Sequence, residues 1–279
     1  MSFEPSVTVL VPQPRELELP DLSLDGILRR LPDLARAEAI CLTGSIVRGW
    51  GNTFSDVDVY VFSDDELELP MDETAEAFAG RERELSWTRW VGIYDDWRVD
   101  LKVWATDAFE RVLAPLLASP EPEFSGIQAA RDDFVYRASI GRPLANDAFF
   151  ERIRDLLDRS SYRRARARTL KVRSENALLD VAGQLRAGDD ASARLAAMAS
   201  AADVTDACLV AAGDICPSPK WLLRRLQDTP EAGITPEEYV SEVLEGTRPG
   251  ESSAECALRV TRWAQSHFLR VEEQTLVLA

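Results

Sequence analysis

The chain has 279 residues, 46% of them hydrophobic and 29% charged, which suits two modest domains or one domain with a large appendage and a sizeable core. Its formal net charge of −16 argues against long nucleic acids as partners, because phosphate neutralisation by Lys and Arg supplies most nonspecific affinity for them. No apolar run reaches the roughly 18 residues a membrane span needs, so no membrane partner is expected.

Residues 1–20 hold four prolines and read as an irregular arm, with no basic segment leading into an apolar one as a signal peptide would have. Leu24 to Ala37 has apolar residues at helical spacing, interrupted by Pro32, so one helix or two short pieces fit equally. Ala39–Thr43 and Val57–Phe62 read as short strands. "LSWTRWVGIYDDWRVDLKVW", residues 85–104, is rich in aromatic and β-branched residues around Asp95-Asp96 and reads as an antiparallel hairpin. Thr106 to Leu117 reads as a helix with Thr106 as N-cap and Pro115 as a candidate terminator, and "ASPEPEF" then breaks the chain.

Beyond Gly141-Arg142-Pro143 the strand signals fade. Helical patterns cover residues 148–186, 191–212, 219–226, 236–244 and 253–273. The expected fold class is therefore α+β: an N-terminal domain, residues 1–142, with a mixed β-sheet flanked by helices, then an α-helical bundle over residues 143–279. Charge is uneven along it. Asp228 to Glu255 carries eight acids and one arginine, whereas Arg159 to Arg173 carries seven basic residues and no acid. Either run reads first as a solvated helix face, although a basic island in so acidic a chain can hold a small anion. The four cysteines form no CxxC pair and there is one histidine, His267, so neither a zinc site nor a disulfide framework is expected and the setting reads as cytoplasmic.

The chemistry concentrates in "CLTGSIVRGWGNTFSDVDVYVF", residues 41–62. Side chains alternate along a strand, so Asp56 and Asp58 share a face while Val57 and Val59 point into the core. Their Cα atoms should lie about 6.6 Å apart, given a rise of ~3.3 Å per residue. Two carboxylates so placed repel each other unless they converge on a cation, and hard oxygen ligands of this kind suit magnesium. A strand running into Gly44-Ser45 and then a helix offers free backbone N–H groups and a hydroxyl to a phosphate, with no Cβ at Gly44 to obstruct it. In "WRVDLKVW" the apolar face is Val99, Leu101 and Val103, which leaves Asp100 on the opposite one as a third acid.

Gly-Ser, a glycine-containing spacer, Ser-Asp-x-Asp and then the lone acid of "RVDLKVW" together resemble the signature of the DNA polymerase β-like nucleotidyltransferase superfamily. The variant with Arg48-Gly49 is similar to minimal and aminoglycoside nucleotidyltransferases. "SPKWLLRRL", residues 218–226, loosely resembles an aminoglycoside adenylyltransferase helix motif whose lysine reaches the nucleotide phosphates, which makes Lys220 a candidate. The strong resemblance covers residues 39–104 only.

The resemblance implies transfer of a nucleoside monophosphate from a triphosphate, with ATP the expected donor, to an acceptor, with release of pyrophosphate. Asp56, Asp58 and Asp100 are then the candidate catalytic residues and the ligands of Mg2+, and Gly44, Ser45, Arg48 and Lys220 the nucleotide-binding candidates. Arg48 reads equally as a partner of a local carboxylate and Lys220 as a solvated lysine at a helix start. Arg163, Arg166 and Lys171 are further cleft candidates within the basic island, and Glu175 and Asp180 are polar positions for a separate general base or plain surface acids. Trp50 lies where it could border a base or acceptor pocket.

The expected acceptor is a small molecule bearing a hydroxyl or similar group, as in antibiotic modification or natural-product biosynthesis, and an acidic surface would steer a cationic one. Two alternatives stay open. One is an antitoxin-like enzyme that adenylylates a protein partner; the other is a non-catalytic nucleotide-binding protein.

Overall fold

The computed structural model describes residues 21–52, 54–71, 73, 75–82, 85–94, 96–118 and 129–277. The expected arm at 1–20, Asp95 of the hairpin turn and residues 119–124 of the chain break lie outside these. Two compact units part between Ser160 and Ser161.

In the first unit, Ser23 caps helix α1 (Leu24–Arg30) by accepting from the Gly26 N–H at 3.1 Å. Pro32 opens a separate 3-10 turn, Pro32–Arg36, where its missing N–H costs nothing. Strand β1 (Ala39–Thr43) runs directly into the single turn α2 (Gly44–Val47), and β2 (Val57–Phe62) returns antiparallel to β1. β3 (Glu76–Glu82), β4 (Leu85–Tyr94) and β5 (Trp97–Trp104) form an antiparallel meander. β5 lies parallel to β2 in a six-stranded sheet of order β3-β4-β5-β2-β1-β6. The expected hairpin is thus present, with Asp96 at φ 67° in its two-residue turn.

Alternation along the central strands gives the sheet two different apolar faces. Ile40, Leu42, Val57, Val59, Val61, Val99 and Leu101 point to one side, where Leu22, Ile27, Leu31 and Leu34 cover them. Tyr60, Phe62 and Trp104 point to the other and meet three helices. These are α3 (Ala108–Ala118), which continues past Pro115, α4 (Ala129–Ser139) and, after strand β6 (Arg142–Ala145), α5 (Asp147–Arg159). Phe134 of α4 is central, with its ring 4.3 Å from Trp104, 5.9 Å from Phe109, 6.2 Å from Tyr60 and 6.3 Å from Phe62. Full burial of such a ring stabilises by roughly 1.5–3 kcal/mol.

Two sequence expectations change here. Thr106 gives its N–H (3.0 Å) and hydroxyl (2.5 Å) to Asp64, and α3 begins two residues later at Ala108. Residues 143–160, expected with the helical bundle, belong to the sheet unit because β6 pairs with β1 and Phe149 and Phe150 pack on Phe62.

The second unit is helical over its described residues, 161–277. α6 (Tyr162–Ala187) ends at Gly188, whose φ of 75° suits a left-handed C-cap, and Asp189 caps α7 (Asp190–Ala212) through the Ser192 N–H. α8 (Leu222–Asp228), the short α9 (Pro236–Tyr239), α10 (Ser253–Ser266) with a Ser252–Glu255 capping box, and α11 (Phe268–Val277) complete it. An 18-residue window of α7 has a mean hydropathy of 1.5, long and apolar enough to cross a membrane, and 56% of it is buried inside the protein. Small residues on α7 (Ala193, Ala197, Ala201) permit close packing, and the Ser174 and Ser200 hydroxyls pair at 2.7 Å in the interior. Arg225 is fully buried and bonded to Asp206 (2.7 Å) and Asp214 (2.9 Å).

Candidate active site

Parallel pairing of β2 with β5 sets Val57 beside Val99, Asp58 beside Asp100 and Val59 beside Leu101. The valines and leucine are drawn into the α1-side core, so the two aspartates must emerge together on the α4 side, one strand spacing apart at about 4.8 Å. Asp56 precedes β2 by one residue. The Asn52–Ser55 turn sets its approach: the Asn52 N–H donates to Ser55 Oγ (2.9 Å) and the Phe54 N–H to Asn52 Oδ1 (2.9 Å). The phase expected for Asp58 and Asp100 is therefore the phase observed.

Each acid meets an arginine from a different element. Arg98 of β5 lies 3.3 Å from Asp56 Oδ2. Arg137 of α4 lies 2.8 Å from Asp58 Oδ1, while its Nε donates to Asp133 Oδ1 at 2.7 Å. Arg89 of β4 grips Asp100 with a fork: Nε to Oδ1 at 2.8 Å and the second nitrogen to Oδ2. Asp133 is a further hub, 3.5 Å from Lys102 Nζ and 3.4 Å from the Tyr60 hydroxyl. Burial pushes the Asp58 carboxyl above the usual carboxylate range; Arg137 opposes that rise, and Asp100 and Asp133 add to it. Burial lowers the affinity of Arg137 for its proton, but Asp133 and Asp58 outweigh it and leave that guanidinium firmly charged. Arg89 is likewise raised, first by its bond to Asp100, and it also feels the charges of Asp56 and Asp58.

Gly44 has a φ of 77°, and a Cβ there would collide with the Asp58 carboxylate and stand 2.8 Å from Arg137. The Gly-Ser turn is thus in contact with the acids. Ser45 follows half-buried, and its carbonyl accepts the Trp50 N–H at 2.8 Å. Arg48 stacks over the buried Trp50 ring at 4.0 Å, which gives both residues a packing role beside the turn. Lys220 lies in the helical unit, exposed, with Nζ 4.9 Å from the Trp221 ring. The basic island serves structure at two of its cleft candidates. Arg166 is buried against the Ile215 carbonyl and Asp206, and Lys171 pairs with Glu175 (2.6 Å) and Glu272 (3.0 Å). The buried His267 packs on Trp263 at 4.6 Å.

Among the described residues no three Asp, Glu, His or Cys side chains converge as a ready cation site, and guanidinium groups stand against the acids. The donor chemistry still fits a hard divalent ion: carboxylate oxygens on one face, two of them in register, with cations already drawn to each.

A mixed sheet sets two acids on neighbouring parallel strands, beside a Gly-Ser turn. Residues 24–113 match the family described as nucleotidyltransferase domain, which supports a transferase. The solved structure of a nucleotidyltransferase-like protein from Exiguobacterium sibiricum is similar at 13% identity and a TM-score of 0.47, covering 91% of this chain and 76% of that one. No curated protein matches the sequence.

Sequence reasoning missed Arg89, Arg98, Asp133 and Arg137. Arg89 was within reach of it. A two-residue turn after Tyr94 pairs Tyr94 with Trp97 and so places Arg89 diagonal to Asp100 on the same face. Arg137 carried no such signal, because the apolar residues of α4 form no stripe that marks it as a helix of the site.

Proposed function

We propose that this protein is a magnesium-dependent nucleotidyltransferase that moves a nucleoside monophosphate from a nucleoside triphosphate, with ATP the favoured donor, to a hydroxyl of a small-molecule acceptor. In the transfer the acceptor oxygen bonds to the α-phosphorus, the bond from that phosphorus to the pyrophosphate oxygen breaks, pyrophosphate leaves with the electron pair, and the acceptor's proton passes to water. Asp56, Asp58 and Asp100 would hold the divalent ion. When bound, such an ion neutralises phosphate charge and lowers the pKa of an attacking hydroxyl.

The chain's own residues orient these acids. Arg137, anchored by Asp133, fixes Asp58, and Gly44 leaves room for that carboxylate beside the Gly44-Ser45 turn, where backbone and hydroxyl donors are proposed to meet phosphate. Positioning and charge neutralisation are the main sources of rate in such a reaction. A net charge of −16 favours a cationic acceptor by steering, which supports a small amine-bearing molecule over a nucleic acid.

The observation that carries the reading is the in-register pair Asp58–Asp100, with Asp56 directly before the same strand as Asp58 and paired with Arg98 of β5. The test is a pyrophosphate-release screen of the four nucleoside triphosphates, with and without Mg2+, against a library of amines and alcohols and against candidate protein acceptors. Release that needs Mg2+ and a small acceptor, and that vanishes in Asp58→Asn, is the expected result. Magnesium-independent release, or none with any nucleotide, would overturn it.

A further inference from the structure

Arg89 stands where the charges of the acids meet, and its situation differs from that of the other two arginines. Arg137 is tied to Asp133 as well as Asp58. Arg98 is half exposed and pairs with Asp56 at 3.3 Å. Arg89 has Asp100 as its carboxylate partner and engages both of its oxygens, the atoms a divalent ion would need. Its guanidinium also lies 5.2 Å from the ring of Phe78 on the neighbouring strand, a half-exposed aromatic face that can keep a cation after Asp100 lets go.

We propose that Arg89 is the resident counter-cation of this site: it neutralises Asp100 in the metal-free protein and is displaced from that carboxylate when a divalent ion takes the acids. The inference rests on the reading that the three acids bind a metal. It makes Arg89 a positioning residue. It holds Asp100 aimed while the site waits, and metal binding must break a charge-assisted fork. The site's net charge then changes less on loading than three bare carboxylates would require. The released guanidinium stays beside the metal on Phe78.

The test uses the full chain and Mn2+ as probe, read by the electron paramagnetic resonance of free Mn2+. Arg89→Gln should bind Mn2+ about tenfold more tightly than wild type, the scale of one lost charge-assisted hydrogen-bonded pair. Arg89→Lys, which keeps the charge without the fork, should fall between. Lys102→Gln removes a nearby cation that bonds Asp133 rather than one of the three acids, and should change affinity less than twofold. In wild type, phenylglyoxal labelling of Arg89, mapped by mass spectrometry, should rise severalfold on adding Mn2+. Should Arg89→Gln not fold, Arg89→Lys and the labelling decide. If wild type binds Mn2+ and Asp100→Asn does not, yet Arg89→Gln is no tighter and labelling does not change, this inference falls and the metal reading stands. If neither wild type nor any Arg89 variant binds Mn2+, both fall.

Discussion

Asp58 and Asp100 face each other in register across the parallel β2–β5 junction, and each is gripped by an arginine from a different element. Like charges directly opposite on a sheet destabilise it. The sheet keeps this pair because hydrophobic phase leaves no choice: Val57, Val59, Val99 and Leu101 are committed to the α1-side core, and a one-residue slip would bury the acids there instead.

Removing one of the two carboxylates should therefore cost activity far more than stability. Asp58→Asn and Asp100→Asn should each lower Mg2+-dependent pyrophosphate release on the order of 10²–10³-fold or more, the range seen when one electrostatic group is lost from a transfer site. Thermal unfolding should shift little, because each change relieves repulsion while loosening an arginine. A variant that unfolds early at unchanged specific activity would show that these acids serve structure alone.

Gly44 tests how closely the turn and the acids are coupled. Gly44→Ala places a Cβ against the Asp58 carboxylate at a φ of 77°, so backbone strain and steric clash act together. A loss on the order of 1–3 kcal/mol in denaturant unfolding is expected, with loss of nucleotide binding. Gly49→Ala, at φ 69° but with nothing near its Cβ, isolates the backbone contribution and should keep the site working.

Much of this site was legible in the sequence because strand alternation is strict. The period of two put Asp56 and Asp58 on one face, and the apolar partners of Asp100 did the same for it. What could not be read is the environment of those acids, since it depends on α4, where Phe134 and Val135 are buried beside the charged Asp132 and Asp133 without a visible stripe. β6 was hidden for a similar reason. It is four residues long with Pro143 inside, tolerable because it forms the edge of the sheet. Lys220 was suggested by a local motif, and a motif on a helix carries no information about what that helix faces.

α4 should link packing to chemistry. Phe134→Ala empties the centre of the aromatic cluster and should cost roughly 3–5 kcal/mol. The same helix carries Arg137 and Asp133, so transfer should weaken even where the protein stays folded, as measured by pyrophosphate release well below the unfolding midpoint. Phe134→Leu, which keeps most of the volume, should recover both.

In the helical unit Asp203 offers a pH-dependent test. It lines a cavity of about 220 Å³ together with Arg166, Leu170, Asp206, Leu222 and Arg225. It pairs with the half-exposed Arg173 at 3.3 Å. Burial pushes its carboxyl up to about 6; Arg173 opposes that shift, and the like charge of Asp206 assists it. A folded-state value above the unfolded one means that folding favours the protonated form. The stability contributed is then complete below the ordinary carboxylate range and is lost as pH rises through about 6. At pH 8 wild type carries that cost and Asp203→Asn does not, so the variant should be more stable by on the order of 2 kcal/mol. At pH 4 and below the two should unfold together. A variant less stable than wild type at pH 8 would mean that the Arg173 pair outweighs burial, and the cavity would then be a charged pocket rather than a desolvated one.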